Sequence, residues 1–440
     1  MNDSNLKESG KSNLQTMGKG YLIFLFIYMF LYEFMDSYTT SYYTSVVSYI
    51  EADFGIDHST FYLIQAIASV GLLLVLFIQN LADVWGRKPM MIVVFFGMGF
   101  ASFILLISHD VYVFTIGFLL SWIFFSSDLW VIIISEEAPA EKRATYSYII
   151  AVLGALGAIA IPVCRGIFVK VAPSVDPTAW RGMNYLALLA MPLAFLGFGM
   201  KETIAFKNRK NMKKIPTEGE KEILVKEKQQ KLLLPFKTEH KVKLIVFMVF
   251  GLMMGMSAAV NSTLEVFFTS NIVEKHDASP EVVTNITYIA VLGTFIFFGI
   301  TGILADKMGR KRLFYIYFAL NSGFFALLVF FVDPLAASGS YWVFAIAGFF
   351  ANGSFWGIFM LSKTYCVENF PTSIRGTSSG WRAFMYAVGL IVGSLVSSVL
   401  ATFMSLGHMY VLFAALNAIV MIPLIIKFLP EMKGVKIIEE

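Results

Sequence analysis

The chain has 440 residues, 57% of them hydrophobic and 15% charged, with 43 Phe, and a water-soluble domain of that length exposes far more charge. Its net charge of +4 is modest and lies in the loops, which points to membrane orientation and away from nucleic acid. It has two Cys, no Cys/His spacing of a metal-site type, and five His that fall in or beside loops. These features give no disulfide framework, no metal centre, no cofactor box and no nucleophile–His constellation for an enzyme.

Residues 1–20 are polar, carry Lys7, Lys11 and Lys19, and have no small-residue cleavage site. They read as a cytoplasmic tail rather than a signal peptide. Beyond them, apolar runs long enough to cross a bilayer recur along the whole chain. They predict twelve helices at 21–50, 60–81, 88–108, 111–135, 145–169, 180–200, 243–272, 283–305, 312–332, 339–364, 377–403 and 408–428. The fold class is therefore an all-α membrane protein of two six-helix bundles, 21–200 and 242–429, joined by a charged linker at 201–241 and ending in a tail at 430–440.

Charge is divided between the two sets of loops. Arg87, Lys88, Lys142, Arg143, the Lys-rich linker, Lys307, Arg310, Lys311, Arg312 and Arg375 lie on one side. Glu51, Asp53, Asp57, Asp110, Glu274, Asp277, Glu281 and Asp333 lie on the other, with Lys170, Arg181 and Lys275 as exceptions. The basic side is expected to be cytoplasmic, with both termini inside a cell (inner) membrane.

Two patterns are repeated. Asp83-Val84-Trp85-Gly86-Arg87-Lys88 joins the second and third runs, and Asp306-Lys307-Met308-Gly309-Arg310-Lys311 joins the eighth and ninth, about 220 residues later. Glu136-x-x-Pro139-x-x-x-Arg143 follows the fourth run, and Glu368-x-x-Pro371-x-x-x-Arg375 follows the tenth, at nearly the same offset. Internal repeats of this size mark secondary transporters whose halves surround a midplane site. The paired Asp-x-x-Gly-Arg-Lys loops resemble the signature of the major facilitator superfamily of solute transporters. Pro-Thr-Ser-Ile-Arg-Gly at 371–376 is similar to its sugar-porter, organic-ion and metabolite–proton symporter branches. Leu429-Pro430-Glu431, weakly echoed by Lys201-Glu202-Thr203, resembles their half-ending motif. The resemblance departs at Gln79, where the family has a Gly that allows close helix contact; Gly302 keeps it in the second half.

Read physically, Asp83 and Asp306 adjoin helix N-termini, where free amides and the dipole stabilise a carboxylate. Gly86 and Gly309 permit a tight turn. Arg87, Lys88, Arg310 and Lys311 can reach Glu136 and Glu368, and with Arg143 and Arg375 these groups form the expected cytoplasmic gate. Its ion pairs are weak enough to break in every cycle.

Ionisable groups at membrane depth are costly and functional by default. Glu33, Asp36 and Asp128 are the expected proton-coupling residues, with Asp36 as the principal one. A desolvated carboxylate in the first helix would be protonated from outside and would release to the cytoplasm. Tyr43, Arg165, Asn261, Glu265, Asn352, Trp356 and Tyr386 are the expected solute-binding residues. Arg165 has the competing reading of neutralising Asp128 or Asp36, and Glu265 that of a solvated group at the outer mouth. Arg382 reads as a gate residue. Trp356 sits where the resemblance to sugar porters implies a cavity Trp.

These expectations add up to proton-coupled symport of a small polar organic solute, cationic or zwitterionic, by a monomer in the lipid bilayer. Carboxylates and aromatic faces would hold the cation. The runner-up is a sugar or sugar-acid porter, although the Gln residues usual in sugar porters are missing from 145–169 and 243–272. A non-transporting sensor with the same fold is the reading from another class.

Overall fold

The computed structural model describes residues 19–432, apart from 75–77, 79–80, 83–84, 125–128, 138–148, 151, 204–205 and 208–232. Asp83, Asp128, Arg143 and most of the linker lie outside the described residues, as do the side chains of Glu136 and Arg375. The spans are α1 (Lys19–Thr39), α2 (His58–Ser69), α3 (Arg87–Leu106), α4 (Val111–Phe124), α5 (Leu156–Phe168), α6 (Pro177–Gly199), α7 (Lys241–Asn261), α8 (Pro280–Met308), α9 (Arg310–Phe330), α10 (Tyr341–Glu368), α11 (Thr372–Leu400) and α12 (Leu406–Phe428). Helices satisfy their own backbone polar groups, which hydrocarbon cannot do for them. The outer faces stay apolar: Ile303 and Ile419 are 58% and 69% exposed, as suits lipid contact.

Three apolar clusters hold the helices together. One lies within the first half, around Tyr28, Tyr32, Phe95 and Met98. A second lies within the other half, around Phe247, Phe250, Phe314 and Tyr365. The third crosses between the halves toward the acidic loops, bringing Tyr42, Tyr49 and Phe61 together with Val266, Phe267 and Tyr410. The halves are thus packed shut at one end, the end of the acidic loops. There, two of the three basic exceptions are neutralised: Arg181 pairs with Asp53 at 2.7 Å and Lys275 with Asp333 at 2.5 Å.

The sequence predicts unbroken helices over 21–50 and 243–272, and both are interrupted. α1 ends at Thr39, a 3₁₀ turn spans Tyr42–Ser45, and a separate helix runs Val47–Phe54. α7 ends at Asn261, and after Leu264–Phe268 the chain continues as a π-helical turn, Thr269–Glu274. The cause is local. Thr40, Thr44 and Ser45 donate to the carbonyls of Asp36, Ser41 and Tyr42 at 2.6, 2.8 and 2.7 Å. Ser262 and Thr263 do the same to Ala259 and Val260 at 2.6 and 2.9 Å. Side-chain hydroxyls that compete for backbone acceptors loosen a helix. Both breaks open beside the central cavity, where irregular backbone is tolerated because it lines polar space.

Candidate functional site

The cavity has a volume of about 360 Å³ and is walled by α1, α4, α5, α7, α8, α10 and α11. That is the size of a pocket for a small molecule. From the first half, Asp36, Thr40, Tyr43 and Trp122 reach it; from the second, Asn261, Asn352, Trp356 and Tyr386 do. Tyr43 does not share a helix with Asp36, although the sequence predicts one unbroken helix over 21–50. It is carried to the cavity by the 3₁₀ turn. Its ring meets Phe118 edge-on at a centroid distance of 4.8 Å, which fixes its orientation.

The second-half wall is an amide cluster beside an aromatic one. Asn261 donates to Asn352 Oδ1 at 3.2 Å, and Asn352 donates to Thr294 Oγ1 at 2.8 Å. Asn261 Oδ1 is buried and accepts no hydrogen bond among the described residues. A buried acceptor without a donor is costly, and a solute hydroxyl or N–H would satisfy it. Next to it, Trp356 packs against Phe298, Phe355 and Phe359, and Phe359 against Tyr386, at centroid distances of 5.2 to 6.1 Å.

Arg165 does not line the cavity. It is fully buried, at the acidic-loop end, and among the described residues its ion-pair partner is not Asp36 but Glu265 of the other half, 3.2 Å away. The contact is electrostatic rather than an aligned hydrogen bond, because Arg165 Nη2 makes none. Arg165 donates instead through Nη1 to the carbonyl of Ser45 and through Nε to Thr284 Oγ1 at 3.2 Å. Glu265 touches the cavity wall but is not solvated. It accepts from Ser48 N and Oγ at 3.2 and 2.9 Å and from Thr269 Oγ1 at 2.5 Å. Further ties flank this clamp: Tyr62 to Thr263 at 2.7 Å, Ser262 to Gln65 at 3.0 Å and Ser59 to Ser398 at 3.1 Å. Each of these joins one half to the other.

Glu33 is likewise not a cavity residue. Its side chain lies against Gly154, just ahead of α5, where an added Cβ would collide with it. Asp36, by contrast, lines the cavity and is only 8% exposed.

At the basic end, Arg310 donates to Glu368 through Nε at 3.0 Å and Nη2 at 2.8 Å, and Nη2 also meets Asp306 at 2.7 Å. Asp306 does not cap α9: it is in the last turn of α8, and its side chain is 73% exposed. The cap is Glu431, which accepts from the amides of Arg310 and Lys311 at 2.8 and 3.1 Å. Glu202 does the same for Arg87 and Lys88, at 2.9 and 3.3 Å. Gly86 and Gly309 have φ of +116° and +93°, and a Cβ on either would run into the capping carboxylate. Glycine is therefore required twice over, by the turn and by the cap. Lys88 and Lys311 donate to the carbonyls of Phe198 and Ile426 at 2.8 and 3.3 Å. Gly302 has open space around it, with no atom within 4 Å of an added Cβ, so it makes no close helix contact here.

Such an arrangement, a solute-sized chamber with a few polar groups in an apolar wall, between two helical bundles joined at one end, defines the class. A family model described as the Major Facilitator Superfamily matches residues 29–361 and again 246–437, and the chain belongs to that family of transporters. Among curated relatives, the cis,cis-muconate transport protein of Acinetobacter baylyi is 25% identical over 239 residues, a match spanning only 54% of each chain. The sialic acid transporter NanX of Escherichia coli is 24% identical over 377 residues, 82% of each. Among solved structures, the D-xylose-proton symporter superposes with a TM-score of 0.72 at 16% identity, covering 94% of this chain and 99% of that one. The nucleoside transporter NupG gives 0.71 at 14% identity, covering 92% and 99%. At such identities these structures speak for the fold.

Proposed function

We propose that this protein is a proton-coupled secondary transporter that moves a small polar organic solute by alternating access. The observation that carries the reading is the cavity, bounded by both halves and sealed toward the acidic loops by the Arg165–Glu265 clamp. Breaking those few ties would let the halves rock apart at that end while the basic end closes. Taking the basic loops as cytoplasmic, the form described is closed to the outside, both termini are inside, and a monomer in the cell membrane suffices for transport.

Asp36 is the proton carrier of this reading. It stands at the junction of α1 with its break, on the cavity wall, where a carboxylate is expensive to occlude in charged form. Protonation from outside would remove that cost. Asp36→Asn mimics the protonated state. In proteoliposomes it is expected to abolish accumulation driven by a pH gradient and to preserve solute exchange at equal pH. Retained pH-driven accumulation would exclude Asp36.

The solute is recognised by the amide pair Asn261/Asn352, by Trp356 and Tyr386, and by the hydroxyls around Thr40. A cationic or zwitterionic solute was favoured in sequence by the intramembrane acids, but Glu265 is engaged by Arg165, Ser48 and Thr269, which removes one of them from the solute. The names of the curated relatives, a muconate and a sialic acid transporter, support an organic acid, sugar acids included.

A further inference from the structure

We infer that Arg382 is an anion-binding residue on the solute's path, and that the solute it receives carries a carboxylate. This rests on the transport reading above and narrows its substrate class. The sequence suggests a gate residue, yet Arg382 lies ten residues into α11, about 15 Å from its start at 1.5 Å per residue. It is 3% exposed, and its Nε and Nη1 are buried without a hydrogen-bond partner among the described residues. Among the described residues it makes no ion pair, and its guanidinium carbon lies 5.6 Å from the centroid of the Phe359 ring.

A buried arginine without a counter-charge is a costly feature, and three facts place it beside the cavity. Arg382, Tyr386 and Leu390 follow at i, i+4 and i+8 on one face of α11, and the last two line the cavity. The ring it covers, Phe359, packs on Trp356 and Tyr386 of the cavity wall at 5.6 and 5.2 Å. Gly251 and Gly255 of α7 meet the carbonyls of Arg382 and Tyr386 so closely that a Cβ would not fit, so the backbone carrying the guanidinium is held rigidly. Unpartnered Nε–H and Nη1–H groups on a buried cation call for an anionic acceptor, and a carboxylate is the acceptor an organic solute supplies. The wall therefore offers, from the outer side inward, an acceptor at Asn261, an aromatic face, and a cation. That sequence suits a solute with a polar body and an acid group leading toward the basic end.

The test uses the purified full-length protein and matched probes: gluconate with glucose, benzoate with benzyl alcohol, N-acetylneuraminate with N-acetylmannosamine, and chloride as the inorganic anion. Ligand-induced rise in melting temperature is read for wild type, Arg382→Gln and Arg382→Lys. The carboxylate of at least one pair is expected to stabilise wild type saturably while its neutral partner does not. Arg382→Gln should weaken that binding about 10- to 100-fold, the range for a lost charge-assisted contact, and Arg382→Lys should retain part of it. Without ligand, Arg382→Gln should melt no lower than wild type, because it removes an unpaired buried charge; a purely structural arginine would give a lower melting point. Carboxylate binding unchanged in Arg382→Gln would overturn the inference, as would stabilisation by chloride alone or by neutral probes alone. Flux of a neutral probe that persists in Arg382→Gln would sink the anion site and leave the transport reading standing. Absence of flux for every probe in wild type would count against both.

Discussion

At the residue scale, the clamp at the acidic-loop end contains one buried charge pair. Arg165 and Glu265 have 0% and 2% of their side-chain surface exposed, so neither has water to replace the other. Removing one partner strands a buried charge and costs about 3–5 kcal/mol, whereas replacing both with apolar groups is often close to neutral. Arg165→Met alone and Glu265→Leu alone should therefore each strongly destabilise the form closed at the acidic-loop end, and the double variant less than their sum. Impermeant-maleimide labelling of a cysteine placed at Thr40, applied from the acidic-loop side, measures this. Labelling should rise in both single variants and fall back in the double one. Equal labelling in all three would show that the pair does not hold the closure.

The charged groups were legible in sequence; their partners were not. Arg165 and Glu265 stood out as ions at membrane depth, but they are 100 residues apart and on different halves, so nothing local pairs them. Asp36, Asn261, Asn352, Trp356 and Tyr386 were legible as polar or aromatic interruptions of apolar runs, and all line the cavity. Glu33 shares that signal and is turned aside, because its placement depends on Gly154 of a distant helix. Arg382 was visible as an ion at membrane depth, but its register with α7 and Phe359, which decides what it can meet, was not.

At the scale of elements, the repeated Asp-x-x-Gly-Arg-Lys loops are held by acids that lie far along the chain. Glu202 and Glu431 close each half by accepting the first amides of α3 and α9. Charge-assisted capping of this kind is stronger than a neutral cap, which contributes about 1 kcal/mol. Gly309→Ala forces a side chain into positive φ and against Glu431, 2.8 Å from the new Cβ. It should lower the melting temperature of the purified protein by more than Glu431→Ala does, since it adds backbone strain to the loss of the cap. A Gly309→Ala variant that melts like wild type would contradict this account of the loop. The half-ending motif was recognisable in sequence by resemblance, but its role as a cap was not, because the acceptor and the amides are about 120 residues apart. The breaks after α1 and α7 were readable in principle: runs such as Tyr38-Thr39-Thr40-Ser41 supply the hydroxyls that unseat the helix.

For the whole molecule, the twelve spans and two halves follow from hydropathy, loop charge and the internal repeat. The conformation does not, because under the proposed alternating access the same sequence supports both closures. What the structure adds is the location of the ties: an apolar cluster and a set of polar contacts between the halves, all toward the acidic loops. Alternating access requires these to part. Ser59 and Ser398, whose hydroxyls are 3.1 Å apart across the two halves, allow the most direct test. In a protein lacking Cys164 and Cys366, Ser59→Cys/Ser398→Cys is oxidised to lock that end, and a third cysteine at Thr40 is labelled with impermeant maleimide from each side. The account predicts that oxidation removes labelling from the acidic-loop side, preserves it from the basic side, and is reversed by reductant. Undiminished labelling from the acidic-loop side in the locked protein would contradict it.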